Sequence, residues 1–246
     1  MKIIINGACG HMGRAVAAAA DAAGMTVAAL VDPCAPSEEG YFRNIRDFTG
    51  DSDVIIDFSH HSATPGLLSY AAERSIPVVL ATTGHTPEEL EAVNKAAGSV
   101  AVFRSANMSL GVALLAGLAK KAAALMPDAD VEIVETHHNR KLDAPSGTAL
   151  MLAEEIKKAR DGASVTCGRS GMSPRKKGEI GISSVRRGNI VGIHEIIFST
   201  GTESITLKHE AHDRALFADG ALSAARFLAG KPAGLYGMSD LVAAGD

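Results

Sequence analysis

The amino-acid sequence predicts an α/β protein in which a parallel sheet covered by helices is followed by an α+β segment with a mixed, mainly antiparallel sheet. Three observations predict this class. Up to about residue 108, short apolar strand-like segments alternate with helical segments, which is typical of a parallel sheet covered on both faces. Between residues 180 and 211, three strand-like segments follow one another without helices, which favours antiparallel pairing. The chain has 246 residues, enough for one large domain or two modest ones.

The first half of the chain contains five predicted strands and three predicted helices. Each strand is a run of β-branched or other apolar residues. Gly24 ends the first helix because glycine readily adopts the left-handed conformation found after a helix, and Thr86-Pro87 starts the third. The strands are predicted at residues 2–6, 26–31, 53–58, 77–81 and 99–103, and the first two helices at residues 14–23 and 64–74.

The second half combines longer helices with the consecutive strands. Glycine-containing turns connect antiparallel strands, so we predict hairpin turns at Arg187-Gly188-Asn189 and Thr200-Gly201-Thr202. Gly230 and Pro232 close the last helix. The helices are predicted at residues 109–126, 148–160 and 214–229, and the strands at residues 130–136, 180–185, 192–199 and 203–211.

The composition excludes several functional classes. The formal net charge is −4 and aromatic residues make up 4% of the chain, which argues against a basic surface or stacking platforms for nucleic acid. The three cysteines, Cys9, Cys34 and Cys167, form no CxxC motif, and reduced thiols fit the cytoplasm. No apolar run approaches the roughly 20 residues that span a bilayer. We predict a cytoplasmic protein without nucleic-acid or membrane partners.

A glycine-rich turn follows the first strand and opens the first helix. Its sequence is Gly7-Ala8-Cys9-Gly10-His11-Met12-Gly13, and its glycines permit a tight turn next to a helix N-terminus that attracts a pyrophosphate. Asp32 ends the second strand 19 residues after Gly13, where an acid accepts hydrogen bonds from an adenosine ribose. These features predict a nicotinamide dinucleotide, and a purely structural glycine turn is the alternative.

The acidic Asp32 favours NADH over NADPH, because its charge repels a 2′-phosphate and Pro33, not a basic residue, follows it. Arg14, or Arg43 and Arg46 folding back, are candidates for restoring NADPH binding. Two further segments at predicted strand ends, Ala81-Thr82-Thr83 and Ala106-Asn107-Met108-Ser109, are either cofactor contacts or ordinary polar loops.

The segment from Glu135 to Ala149 carries the densest chemistry. His137 and His138 exchange protons near neutral pH, and Lys141 is a cation. Ser146-Gly147-Thr148 follows a proline at a helix start, where backbone N–H groups form a cradle for a carboxylate.

Simpler interpretations of this segment stay open. Adjacent histidines on a strand point to opposite faces, so one of them can be structural. Asp143 either orients Lys141 or only makes the turn, and the segment after Pro145 can be a plain helix cap. With neither an HExxH motif nor a nearby thiolate, no metal is predicted.

These segments resemble the 4-hydroxy-tetrahydrodipicolinate reductases, also called dihydrodipicolinate reductases. The opening GACGHMGR and the block ETHHNRKLDAPSGTAL carry the resemblance, together with ATTG, ANMSLGV and RRGNIVGIHEIIF. The resemblance implies a Rossmann-type dinucleotide-binding domain at residues 1–108 and 218–246, and a domain at residues 109–217 that binds substrate and forms a homotetramer. It also implies NAD(P)H-dependent reduction of a small cyclic imine dicarboxylate, 4-hydroxy-tetrahydrodipicolinate, to tetrahydrodipicolinate in lysine biosynthesis through diaminopimelate.

The resemblance also assigns residues. His137 matches the proton donor or acceptor, Lys141 the catalytic lysine, and His138, Gly147 and Thr148 substrate-binding positions, to which we add Ser146. The cofactor contacts would be residues 7–12, Asp32, residues 81–83 and residues 106–109. Cys9, Ala81 and Pro33 depart from the family pattern. Two rival functions are another small nicotinamide reductase of imino or keto acids and a non-catalytic dinucleotide sensor.

Overall fold

The computed structural model describes residues 1–245 and contains two compact units, which we describe one at a time. The first unit combines Met1–Leu110 with the chain from Ala215 onward, and the second is Gly111–Arg214. Residue 246, the last of the predicted range 218–246, lies outside the described residues.

Twelve strands and seven α-helices make up the described part of the chain. The strands are β1 (Lys2–Asn6), β2 (Thr26–Val31), β3 (Tyr41–Phe42), β4 (Val54–Asp57), β5 (Val78–Leu80), β6 (Ala101–Arg104), β7 (Asp130–His137), β8 (Ser164–Cys167), β9 (Glu179–Arg186), β10 (Gly192–Ser199), β11 (Ser204–Ala211) and β12 (Gly234–Tyr236). The helices are α1 (His11–Ala22), α2 (Thr64–Arg74), α3 (Pro87–Ala97), α4 (Leu110–Leu125), α5 (Gly147–Lys157), α6 (Ala215–Leu228) and α7 (Met238–Ala243). None of these described helices has the length and apolar character needed to cross a membrane.

The first unit is built on a seven-stranded parallel sheet with the order β12-β6-β5-β4-β1-β2-β3. The central strands are apolar on both faces because helices cover both sides, and Ile3, Ile4 and Ile5 are fully buried. Helices α2 and α3 pack on the face that carries Ile4 and Ile55, and α6 contacts α1, β4 and β5. The strand order reverses between β1 and β4, so the carboxyl ends of these strands border the crevice where such sheets bind ligands.

The second unit has a five-stranded sheet with the order β11-β10-β7-β9-β8. One of its faces packs against α4 and α5, where Ile133 and Phe198 from the sheet meet Leu115, Leu152 and Ile156. Strand β7 is central, and its last residues form the edge of the sheet at which the site described below lies.

The α/β class is confirmed: a parallel sheet is joined to a second, mixed sheet. The predicted hairpin at Arg187-Gly188-Asn189 is wrong, because β9 and β10 each pair with β7 and not with each other. Strand β9 runs parallel to β7 and β8, so two of the four pairings are parallel and the sheet is not mainly antiparallel. The hairpin at Thr200-Gly201-Thr202 is confirmed by the antiparallel pair β10–β11.

Two helices begin or end several residues away from the positions that the sequence predicts. Helix α1 starts at His11 and not at residue 14, because the glycine turn leads directly into it. Helix α5 ends at Lys157, short of the predicted residue 160. Strands β3, β8 and β12 and helix α7 are not predicted from the sequence, since they are two to six residues long and only partly buried.

Candidate functional site

The glycine turn of the first unit leads into the N-terminus of α1, which no side chain caps. Gly10 precedes α1 and has no side chain to cap it, and none of the residues of its first turn, His-Met-Gly-Arg, is acidic. Gly7 has a φ of +83°, which favours glycine, and a Cβ on Gly13 would lie 2.2 Å from the Gly7 carbonyl oxygen. The first N–H groups of a helix have no intrahelical acceptor, so this turn fits the diphosphate of a dinucleotide.

Asp32 faces this turn from the end of β2. Its Oδ2 accepts a hydrogen bond from the Cys9 N–H at 3.1 Å, and its Oδ1 accepts one from the Cys34 N–H at 2.9 Å. Two backbone groups therefore fix the carboxylate beside the glycine turn. Each carboxylate oxygen has a second lone pair, with which it can accept a hydrogen bond from a ribose hydroxyl.

A buried polar cluster joins the ends of β1, β4 and β5. The fully buried Asp57 accepts hydrogen bonds from Asn6 Nδ2 at 2.7 Å, Ser59 Oγ at 2.6 Å and Thr82 Oγ1 at 2.7 Å. This cluster anchors the predicted contact segment Ala81-Thr82-Thr83 to the neighbouring strand. The sequence analysis missed Asn6 and Asp57, although polar residues that end two buried strands were a usable signal.

The fourth predicted cofactor segment, Ala106-Asn107-Met108-Ser109, follows β6 as a tight turn. Ser105 Oγ donates to the Asn107 carbonyl oxygen at 2.7 Å, and Asn107 Oδ1 accepts from the Ser109 N–H at 2.9 Å. Gly220 of α6 packs against this turn so closely that a Cβ there would lie 1.7 Å from the Met108 carbonyl oxygen. The four predicted segments thus follow β1, β2, β5 and β6 at the carboxyl edge of one parallel sheet.

His137 is the last residue of β7 in the second unit, and its side chain is buried. Its Nδ1 lies 2.5 Å from Oε2 of Glu135, which is fully buried. The contact follows from strand geometry, because residues two apart on a strand share a face. Arg186, aligned with His137 on the neighbouring β9, holds both carboxylate oxygens of Glu135 at 2.8 and 2.9 Å.

Burial tends to raise the pKa of the Glu135 carboxyl group, but hydrogen bonds from Arg186, Ser184 and His137 outweigh it and lower this pKa to about 2. The same contact raises the pKa of Arg186. Glu135 is therefore an anion at neutral pH, and it neutralises the cationic guanidinium next to it.

His138 follows the strand and is half-buried, with its N–H bonded to the Ile190 carbonyl oxygen at 2.8 Å. Burial lowers the pKa of its imidazole, and the nearby cations Arg140, Arg214 and Lys141 lower it further. His138 is therefore neutral at pH 7 and is suited to hydrogen bonding rather than to charge pairing.

Lys141 and the start of α5 complete the segment. Lys141 Nζ lies 2.8 Å from Asp143 Oδ1, so Asp143 orients this cation in the structure. Ser146 caps α5 by accepting the Ala149 N–H at 3.2 Å, and its own N–H donates to Glu135 Oε1 at 3.2 Å. Gly147 and Thr148 are the first two residues of the helix, where a positive dipole end attracts an anion.

His194 of β10 contacts both Ser146 and His137. Its Nε2 is 3.2 Å from Ser146 Oγ, and its ring is 5.2 Å from the ring of His137 in an edge-on arrangement. His194 is 4% exposed, and burial lowers its pKa to about 4, with a smaller effect from His137. His194 is therefore neutral at pH 7.

The lowered pKa of His194 makes the free energy of unfolding depend on pH. The unfolded chain protonates this histidine near its ordinary pKa of about 6.5, and the folded chain does so only near 4. Stability from His194 is thus present above pH 6.5 and is lost as the pH falls to 4, by up to about 3 kcal/mol. We expect urea unfolding to show that the free energy of unfolding of His194→Gln depends less on pH between about 4 and 6.5 than that of the wild-type protein. His212→Gln, at an exposed histidine, is the matched control, and an equal slope in wild type and His194→Gln would contradict the assignment.

The structure brings the six predicted residues of this segment together at one end of β7: His137, His138, Lys141, Ser146, Gly147 and Thr148. Arg140 instead bonds Asn189 Oδ1 at the surface. The sequence analysis gave no role to Glu135, although its spacing from His137 was a signal. It also gave none to Arg186 and His194, although both lie in the segment RRGNIVGIHEIIF that carries the resemblance. Among residues 1–245, no three His, Cys, Asp or Glu side chains are grouped to hold a metal ion.

The fold and these groups define an α/β oxidoreductase that uses a pyridine nucleotide. Comparison with known proteins gives the family. The family model described as dihydrodipicolinate reductase, N-terminus, matches residues 1–108, and the one described as dihydrodipicolinate reductase, C-terminus, matches residues 111–242. The chain belongs to the dihydrodipicolinate reductase family.

Individual relatives agree over the full length. A 4-hydroxy-tetrahydrodipicolinate reductase from Caldanaerobacter subterraneus is 46% identical over 249 residues, which cover 100% of this chain and 99% of the relative. One from Caulobacter vibrioides is 44% identical, covering 98% and 97%. The solved dipicolinate-bound dihydrodipicolinate reductase from Paenisporosarcina sp. TG-14 superposes with a TM-score of 0.83 at 26% identity and covers 98% of each chain. A DAP dehydrogenase from C. glutamicum, at 14% identity and a TM-score of 0.61, shares the fold.

Proposed function

We propose that this chain reduces 4-hydroxy-tetrahydrodipicolinate to tetrahydrodipicolinate with NAD(P)H, the activity its family has in lysine biosynthesis, and that the segment from His137 to Thr148 holds and protonates the substrate. One observation carries the assignment of the segment. A buried histidine, a lysine and a helix N-terminus, three groups that suit a dicarboxylate and a proton transfer, lie together at the end of β7.

Two carboxylates of the substrate require donors. The N-terminal end of α5, at Gly147 and Thr148, suits one carboxylate, since the helix dipole adds to the hydrogen bonds of its N–H groups. The Asp143 carboxylate accepts the Gly147 N–H in the structure, so a substrate carboxylate takes the place of another carboxylate there. Lys141 supplies a positive charge, and the neutral His138 supplies a hydrogen-bond donor. In this proposal Asp143 orients Lys141 while no substrate is bound.

The reaction needs a proton as well as a hydride. The C4 hydroxyl leaves as water, which gives a conjugated imine. NAD(P)H, when bound, supplies the hydride that C4 receives. The electron pair displaced by the hydride then takes up a proton on the adjacent ring carbon, and His137 or Lys141 gives that proton. A positioned acid of this kind typically contributes about 10²–10⁴-fold to the rate.

Asp32 leads us to expect NADH to be the better coenzyme. Its carboxylate, held by Cys9 and Cys34, repels a 2′-phosphate, and Arg46 is committed to Glu73 at 2.8 Å. We expect kcat/KM for NADH to exceed that for NADPH by about tenfold or more, which is about 1.4 kcal/mol.

Asp32→Asn should reduce the ratio of kcat/KM for NADH to kcat/KM for NADPH. Asp21→Asn, which changes an exposed residue on α1, is the matched control. A preference of the wild-type protein for NADPH would contradict the expectation and would direct attention to Arg43, whose Nε bonds the Ala35 carbonyl oxygen at 3.2 Å beside the Asp32 loop.

We also propose a cytoplasmic homotetramer that is formed through the domain at residues 109–217. The three free cysteines support the location. Exposed apolar side chains support the assembly: Leu114 and Leu118 on α4 are 50% and 45% exposed, and Ile205 on the edge strand β11 is 42% exposed. Light scattering that gives the mass of a monomer would contradict the assembly.

A coupled assay tests the proposed activity. The upstream synthase generates the unstable substrate in the cuvette, and oxidation of NADH or NADPH is followed at 340 nm. We expect oxidation that depends on both the synthase and this protein. No oxidation with either coenzyme would overturn the proposal. Activity on other imino or keto acids would then favour a different small reductase, and dinucleotide binding without turnover would favour a sensor.

A further inference from the structure

We propose that Glu135 is a positioning residue: it fixes the His137 ring so that protons pass through Nε2, and it holds the start of α5 in register with that ring. The inference rests on the proposed function and takes His137, one of the two proton donors named there, as the group that transfers the proton. The two carboxylate oxygens of Glu135 make separate contacts. Oε2 lies 2.5 Å from His137 Nδ1, and Oε1 accepts a hydrogen bond from the Ser146 N–H at 3.2 Å.

An ionised carboxylate only accepts hydrogen bonds, so the hydrogen between Glu135 and His137 resides on Nδ1 of the ring. This arrangement leaves Nε2 as the nitrogen that takes up or releases a proton. In the neutral ring Nε2 is a base, and in the charged ring it is an acid, while Nδ1 keeps its hydrogen in both states.

Arg186 fixes Glu135 in turn. Its two terminal nitrogens bind the two carboxylate oxygens, and one of them also donates to the Asp143 carbonyl oxygen at 2.6 Å. A bidentate guanidinium restricts the rotation of a carboxylate and keeps it ionised, in agreement with the pKa of about 2 for Glu135. Arg186 therefore links Glu135 to the loop that carries Lys141.

A second contact restrains the His137 ring. The ring of His194 packs against it, and His194 itself is held by Ser146, the residue that caps α5. The proton-exchanging ring and the carboxylate cradle are thus attached to the same buried carboxylate. The titratable and charged groups that act on His137 or on its direct neighbours Glu135, His138 and His194 are Arg186 on β9, His209 on β11, Arg140 and Lys141 in the loop after β7, and Arg214. Asp143 in the same loop as Lys141 acts on Arg186 and Lys141.

The test is a double-mutant cycle of Glu135→Gln with His137→Gln. Glutamine keeps the shape of the side chain and an acceptor for the Ser146 N–H, but it removes the negative charge. In the wild-type background we expect Glu135→Gln to lower kcat by about 10²-fold or more and to change KM by less than about threefold, because Lys141 and α5 remain. In the His137→Gln background the same change should have little further effect on kcat. Glu132→Gln, on the same strand, is the matched control and should retain the wild-type kcat.

An equal loss of kcat in both backgrounds would overturn the inference, because it would show that Glu135 acts on the fold and not through His137. An unchanged kcat in Glu135→Gln would also overturn it. If the variant does not fold, ¹⁵N NMR of the His137 ring in the wild-type protein decides: Nδ1 should keep its proton across the pH range, and an Nδ1 without a proton would refute the proposal. This readout needs no turnover, so it separates the inference from a failure of the proposed function, which an inactive wild-type protein would reveal.

Discussion

Replacing Lys141 by alanine is expected to lower kcat by about 10²–10⁴-fold, the range typical of positioned catalytic groups. Lys141 lies in the only stretch of the sequence that combines two histidines, a lysine and the SGT helix start, and its charge faces a dianionic substrate in the proposed function. NADH should still bind, because the glycine turn and Asp32 belong to the first unit. Steady-state kinetics and a fluorescence titration with NADH measure the two effects.

Lys157→Ala is the matched control for this change. Lys157 ends α5 and pairs with Glu154 at 2.9 Å on the surface, so its removal deletes the same charge without touching the segment. We expect near-normal kcat for this variant. Near-normal kcat for Lys141→Ala as well would remove Lys141 from the mechanism.

Gly13→Ala is expected to weaken coenzyme binding and to destabilise the protein. The added Cβ would lie 2.2 Å from the Gly7 carbonyl oxygen and 2.7 Å from the Ala8 Cα, and backbone atoms cannot move aside as a flexible side chain can. Relief requires that α1 shift away from the glycine turn, at a cost of about 1–3 kcal/mol. We expect the dissociation constant for NADH to rise at least about tenfold, measured by fluorescence titration, together with a lower midpoint in urea unfolding.

Gly66→Ala in α2 separates local crowding from a general intolerance of glycine replacement. Nothing lies within 4 Å of a Cβ at Gly66, so alanine there should stabilise the helix by up to about 1 kcal/mol and leave NADH binding unchanged. If Gly13→Ala bound NADH as tightly as this control does, the close approach of the glycine turn would not matter for the coenzyme.

The elements that the sequence predicts correctly are those with local signals. The glycine turn, the strands β1, β4 and β10 and the helix start at Ser146 each depend on residues within a few positions of one another. The pairing of β9 has no such signal. A glycine turn at residue 188 is typical of a hairpin, but β7 is already the neighbour of both β9 and β10, so the chain crosses over the end of β7.

The same difference between local signals and strand pairing explains which site residues the sequence predicts. His137, Lys141 and Thr148 are close in sequence, and a resemblance to a known family assigns them roles that stay predictions until they are measured. Arg186 and His194 reach Glu135 and Ser146 only through the order of the strands in the sheet. That order places β9 and β10 on either side of β7, and no property of the segment from residue 135 to 149 specifies it.

A crystal structure of the protein with NADH and dipicolinate, the ligand bound in the Paenisporosarcina relative, tests the central claim most directly. Dipicolinate carries two carboxylates on one ring, as the substrate does. We expect one carboxylate within hydrogen-bond distance of the Gly147 and Thr148 N–H groups, with Lys141 Nζ and His138 on the bound ligand and His137 Nε2 facing its ring. Dipicolinate bound away from the segment from His137 to Thr148 would contradict the account.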